Sequence, residues 1–129
     1  MLPLPEAVRV LAAAGLVPDL ATEEVQTRLL QGLRLKETGL RILAFYLEEM
    51  DRRRLYIATG HESTAFYALE VLDVEKQRTC ELLSVGRKLL TLPRIDAAFC
   101  AQRLGWSKLL YLLEVATPEH EEAWLARAL

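Results

Sequence analysis

"CAQRLGWSKLLYLLEV", residues 100–115, holds a helix-like run, Gly105, the apolar Trp106, a Ser107-Lys108 start and a second helix-like run. That order is the outline of a helix-turn-helix, a common device for laying a helix in a DNA groove. Extended to 95–115, the unit has the features the motif needs. Ala101 is small where a second helix must cross closely, and Gly105 stands where the turn often needs positive φ. Leu104, Trp106, Leu109 and Leu112 or Leu113 are placed to wedge the two helices. Ser107 is the expected cap of "KLLYLLEVA". The second run, Leu-Leu-Tyr-Leu-Leu, is poor in the arginines and amides that read base edges.

Outward from this unit the helical spacing continues. Downstream, Thr117-Pro118-Glu119 reads as the start of a helix through "EEAWLARAL". Upstream, Ser63 or Thr64 caps "STAFYALEVL", Asp73 is the expected N-cap of the next run, and Pro93 ends that run. Residues 63–90 thus form a second candidate helix-turn-helix. Lys76, Gln77, Arg78 and Thr79 occupy the first turns of its second helix, with Arg87 and Lys88 further along. Those are donor-rich side chains at the part of a recognition helix that reaches bases, with cations placed for phosphate.

"RLKETGLRILAFYLEEMDRRRLYIATG", 34–60, is the longest helical stretch, with Leu40, Leu43, Tyr46 or Leu47, and Met50 as its inner stripe. It carries the densest basic cluster, Arg52-Arg53-Arg54. Before it lie two further runs. One ends at Gly15; the other has Thr22 as N-cap, Glu23 and Glu24 in its first turn, and Val25, Leu29, Leu30 and Leu33 at helical spacing. The fold class that follows is all-α, a compact bundle of six to eight helices over residues 1–129. An N-terminal helical hairpin (1–35) precedes a helix-turn-helix-containing core (36–129). Phe66, Leu69, Leu82, Leu83, Phe99, Leu104, Trp106, Leu109 and Leu112 are the expected core. The pattern stops short of a terminator at Leu129, so one domain of a longer protein, or a last helix completed by a partner, is the expectation.

Composition narrows the function. The 129 residues are 52% apolar and 26% charged, with 16 basic and 18 acidic residues, a net charge of −2. A protein binding nucleic acid through bulk charge is basic, so any DNA contact must come from a local patch. Thirteen of the basic residues, against eleven acidic ones, fall between residues 31 and 116, which puts any basic face there. Cys80 and Cys100, too few for a disulfide scaffold, read as reduced and mostly buried. The chain has no membrane-length apolar run and no signal-peptide start, so a cytoplasmic location and no membrane partner are expected. No phosphate loop, H-E-x-x-H or Gly-x-Ser-x-Gly is present, and no Cys/His spacing suits a metal. His61 reads as a surface loop residue and His120 as a helix-cap contact. Enzyme activity, cofactor and metal are therefore not expected.

The segment around Asp51, Arg53, Arg54, Leu55, Tyr56, Gly60, Ser63, Phe66, Tyr67, Leu72 and Val74 resembles the all-helical region that precedes the nuclease domain in bacterial HNH-endonuclease-type proteins. Trp106, Ser107, Lys108, Val115, Ala116, Thr117, Pro118, Glu119, Glu121 and Trp124 resemble a later segment of the same region, so that residues 40–129 are covered. The resemblance implies a helical, DNA-engaging module that positions a partner domain. Two features depart from it: Leu110 and Glu114 stand where that family usually carries arginines, and the HNH histidines and metal ligands are absent.

Two function classes compete. The first is a non-enzymatic module binding double-stranded DNA, contacted by Lys76, Gln77, Arg78, Arg87, Lys88, Arg103 and Lys108 and supported by Arg52, Arg53 and Arg54. The second is a protein–protein module in which Leu110, Tyr111 and Leu113 form an exposed apolar stripe covered by a homodimer partner or a covalently adjoining domain. Leucines suit protein packing better than base edges, so "KLLYLLEV" is expected to face protein and the earlier helix to face DNA.

Overall fold

The computed structural model describes residues 16–129, and the expected helix ending at Gly15 lies outside them. The described residues are all-helical, with six α-helices and no strand. They are α1 (Thr22–Arg52), α2 (Thr64–Leu72), α3 (Lys76–Thr91), α4 (Pro93–Cys100), α5 (Trp106–Val115) and α6 (Glu121–Ala128), with a 3₁₀ turn at Leu55–Ile57. No helix among them is long and apolar enough to cross a membrane. The chain divides into two compact units, Met1–Glu37 and Thr38–Leu129.

In the first unit α1 opens with Glu23 and Glu24 in its first turn, where carboxylates favour the helix dipole. The Thr27 hydroxyl donates to the Glu23 carbonyl (2.9 Å). The two runs expected on either side of residue 33 are one continuous helix. Gly32 and Gly39 each cost a helix interior only about 1 kcal/mol, and no proline intervenes to break it.

In the second unit α3 is the central helix. Thr79, Leu82, Leu83, Val85, Gly86 and Leu89 are buried along one side of it. At Gly86 the helix passes close to α1. A Cβ there would run into the Ala44 carbonyl oxygen and come within 2.9 Å of the Glu48 Cβ. The close crossing expected at Ala101 within the 95–115 unit is not formed there, since Ala101 is exposed; the tight approach at Gly86 joins a different pair, α3 and α1. Ala44, Leu47, Leu82, Leu92, Ile95, Phe99, Leu104, Leu109 and Leu112 belong to the core around this helix.

Several turns use a different device from the one expected. Asp73 is not an N-cap but the C-cap of α2, in the left-handed region at φ 56°, and Glu75 precedes α3 without a side-chain cap. Gln102, not Gly105, takes positive φ (63°) after α4. Around it Gln102 N–H donates to the Phe99 carbonyl and Arg103 N–H to the Ala98 carbonyl, a Schellman closure. Gly105 is extended and serves as the N-cap of α5, so Ser107 caps nothing. Pro93 begins α4 as its first residue rather than merely ending α3, and Leu92 is shared between the two helices. Ser63 caps α2 as expected, its Oγ accepting from Phe66 N–H (3.2 Å).

The α4 N-terminus is completed from the far end of the chain. Pro93 has no N–H and the Leu92 side chain no acceptor, leaving inner amides that need a partner. The Glu121 carboxylate, buried in the first turn of α6, accepts from Ile95 N–H at 2.8 Å. Thr117–His120 is accordingly a turn, with His120 N–H donating to the Thr117 carbonyl, and α6 starts only at Glu121. A second tie joins α1 to α4: Arg41 Nε and Nη2 donate to the two Asp96 oxygens at 2.8 and 2.7 Å. Those hydrogen bonds raise the Arg41 pKa. Partial burial, with Asp96 beside it, raises the Cys100 thiol.

Candidate nucleic-acid interface

Helix α3 carries most of the expected contacts, and its geometry sorts them. At about 100° per residue, Lys76, Gln77, Cys80, Ser84, Arg87, Lys88 and Thr91 fall within an arc of roughly 120°. All of them are exposed except Ser84, which is half-buried. No carboxylate of α3 lies within that arc. Arg78 projects about 200° from Lys76, on the side of Val85 and Leu89. It is paired with Glu81 (2.9 Å), and its guanidinium lies 5.8 Å from the Trp106 ring centre. Arg78 therefore serves the packing of α3 on α5 and does not join the outward arc with Lys76 and Gln77.

The arc meets the second basic feature at Asp51. Arg87 Nη2 donates to Asp51 Oδ2 (2.7 Å), and the buried Thr64 hydroxyl donates to Oδ1 (2.9 Å). Asp51 thus joins α1, α2 and α3 and sets Arg87 beside the start of Arg52-Arg53-Arg54. Arg52 and Arg53 are exposed and lean back on Glu48 and Glu49, while Arg54 takes the left-handed conformation (φ 55°) that ends α1. The bridging role of Asp51 is not visible in the sequence because its partners are 13 and 36 residues away.

The remaining expected cations are placed elsewhere. Arg103 is exposed in the turn after α4, and Lys108 on α5 donates to the Ala128 carbonyl (3.0 Å). Lys108 also lines a cleft of about 310 Å³ with Tyr111, Trp124 and Arg127, the last lying over the Trp124 ring at 5.2 Å. Spacing of three joins Lys108 to Tyr111 and Trp124 to Arg127 on their own helices, but nothing in the local sequence connects the one pair to the other.

The expected apolar stripe on α5 is corrected. Tyr111 is exposed, but Leu113 is buried and Leu110 half-buried. Both pack on the core, so the three residues do not form one exposed stripe. Two expected core residues are also corrected. Phe66 and Leu69 are 51% and 48% exposed. α2 turns Thr64 and Ala68 inward so that the Thr64 hydroxyl can reach Asp51, which puts Phe66 and Leu69 on the outer side. Trp106 is half-buried against Phe99, and Cys80 and Cys100 are exposed rather than buried.

His61 is not a simple surface residue. Its side chain is only 13% exposed, with Nδ1 2.9 Å from the Thr59 hydroxyl and Nε2 3.0 Å from Glu70. It ties the Leu55–Gly60 segment to α2. Among the described residues no group of three or more His, Cys, Asp and Glu side chains is placed to share a metal ion. Comparison with family models, with curated proteins and with solved structures found no match.

Proposed function

We propose that this chain is a non-enzymatic helical module that binds double-stranded DNA, with α3 as the helix that meets the groove. One observation carries the reading: the outward arc of α3 offers Lys76, Gln77, Arg87 and Lys88 with no carboxylate of α3 between them. Asp51 of α1 holds Arg87, and Glu81 borders the arc beside Lys88. A short connection, Asp73 to Glu75, separates α3 from the supporting α2. Lys76 and Gln77 stand at the exposed N-terminal turn, where a recognition helix reaches base edges. Arg87 and Lys88, with Arg52–Arg54 adjoining through Asp51, suit phosphate. The likeness of residues 40–129 to the helical region of HNH-endonuclease-type proteins agrees with a module that positions an adjoining or associated domain on DNA.

Gel-shift titration of a mixed-sequence duplex tests it. The wild type should bind at low ionic strength. Lys76→Ala with Gln77→Ala should weaken binding by about 1–3 kcal/mol for each side chain that reaches a base edge. Arg78→Ala, off the arc, should affect the melting temperature more than DNA affinity. Absence of salt-dependent binding by the wild type would end this reading. A protein-contact module then takes its place, supported by the exposed Phe66, Leu69 and Val71 on α2.

A further inference from the structure

Within the first unit, α1 exposes an apolar face. Val25, Leu29, Leu30 and Leu33 are 43%, 67%, 47% and 49% exposed. Their spacing of three and four residues sets them along one side of the helix. Four branched side chains held in water on one helix face call for a cover, and the charges beside them indicate which. Glu23 precedes the face and Arg34 follows it. Eleven residues is close to three full turns, so both lie along the same edge of the apolar stripe. Glu23 stands about 9 Å before Leu29 along the axis and Arg34 about 7.5 Å beyond it. The charges and the stripe therefore share nearly the same midpoint, at Leu29.

We propose that this face pairs with the same face of a second copy, antiparallel, about a two-fold axis passing near Leu29. In that arrangement Glu23 stands opposite the partner subunit's Arg34, and the pair occurs twice because the interface is isologous. In a parallel pair the edge that carries Glu23 and Arg34 lies on opposite sides of the seam in the two copies, so neither charge would meet its counterpart. The antiparallel arrangement also buries Val25 against Leu33 and Leu29 against itself. This assignment uses none of the residues of the α3 arc and does not depend on DNA binding.

Sedimentation equilibrium of the full chain, from low to high micromolar concentration and without DNA, tests it. The wild type should pass from one chain to two as concentration rises. Leu29→Glu with Leu33→Glu should leave a monomer. Since both positions are exposed, its circular-dichroism helicity and melting temperature should match those of the wild type at low micromolar concentration, where the wild type too is one chain. Glu23→Arg alone and Arg34→Glu alone should each weaken the dimer roughly threefold to tenfold, and the two together should restore it. A wild type that stays monomeric throughout the range overturns the proposal. So does a dimer that survives the leucine substitutions, or a double charge swap no tighter than the single ones.

Discussion

At the scale of single residues, two buried polar groups in the second unit are satisfied very differently. The Glu121 carboxylate holds Ile95 N–H at 2.8 Å across a sequence distance of 26 residues. Glu121→Ala removes a charged acceptor from a buried amide and should cost about 1.5–3 kcal/mol. Glu121→Gln keeps an acceptor oxygen and should cost less than that. Urea denaturation of the two variants beside the wild type checks the order, and equal losses would mean that Glu121 contributes only by filling space. Thr79 is the opposite case. Its hydroxyl is buried on α3 without a hydrogen-bond partner among the described residues. Thr79→Val keeps the shape and removes the unpaired polar atom, so it should stabilise the protein by about 1 kcal/mol. A lower melting temperature in that variant would count against the assigned environment.

At the scale of elements, two glycines of the same residue type are expected to respond with opposite sign. Gly86 on α3 lets the backbone of α1 come close at Ala44 and Glu48, and a methyl group there meets backbone that cannot move aside. Gly86→Ala should therefore cost about 1–3 kcal/mol by overpacking, in spite of alanine's better helix propensity. Gly39, inside α1, has nothing within 4 Å of an added Cβ. Gly39→Ala should stabilise by about 0.5–1 kcal/mol. Thermal melts of both variants decide this, and a shift in the same direction for the two would contradict a tight crossing of α1 and α3 at Gly86.

The same contrast explains which elements are legible in the sequence. Apolar spacing reveals α3 and α5, because Leu82, Leu83, Leu109 and Leu112 repeat along faces that are buried. It misleads at α2, where Thr64 and Ala68 are the inward residues and the larger Phe66 and Leu69 face outward. Local capping rules fail where the partner is distant. The α4 start is completed by Glu121 and the end of α1 is organised by Asp51, and neither contact leaves a mark at sequence spacings of three or four. The basic residues of the α3 arc are legible as a list, but only the helix projection separates Lys76 and Gln77 from Arg78.

At the scale of the whole molecule, the net charge of −2 opposes any long-range attraction to DNA. Binding must then rest on the few cations of the arc and its neighbours, and its salt dependence should be correspondingly shallow. Arg52, Arg53 and Arg87 are already paired with Glu48, Glu49 and Asp51. With about three phosphates therefore neutralised, log K falls with log salt at a slope near −0.9 per contact, and affinity should drop roughly 40-fold between about 50 and 200 mM salt. A more basic protein making six to ten such contacts would lose about 10³–10⁵ over the same range. Arg87 gives the sharpest internal check, because Asp51 already holds it at 2.7 Å and competes with phosphate for it. Asp51→Asn should release Arg87 and remove one acidic charge, which strengthens DNA binding a few-fold and steepens the salt slope. The same change weakens the acceptor for the buried Thr64 hydroxyl, so stability should fall while affinity rises. Affinity and melting temperature moving in opposite directions in one variant distinguishes an arc that touches phosphate from one that is merely solvated. If Asp51→Asn lowers both together, Arg87 belongs to the scaffold and not to the interface.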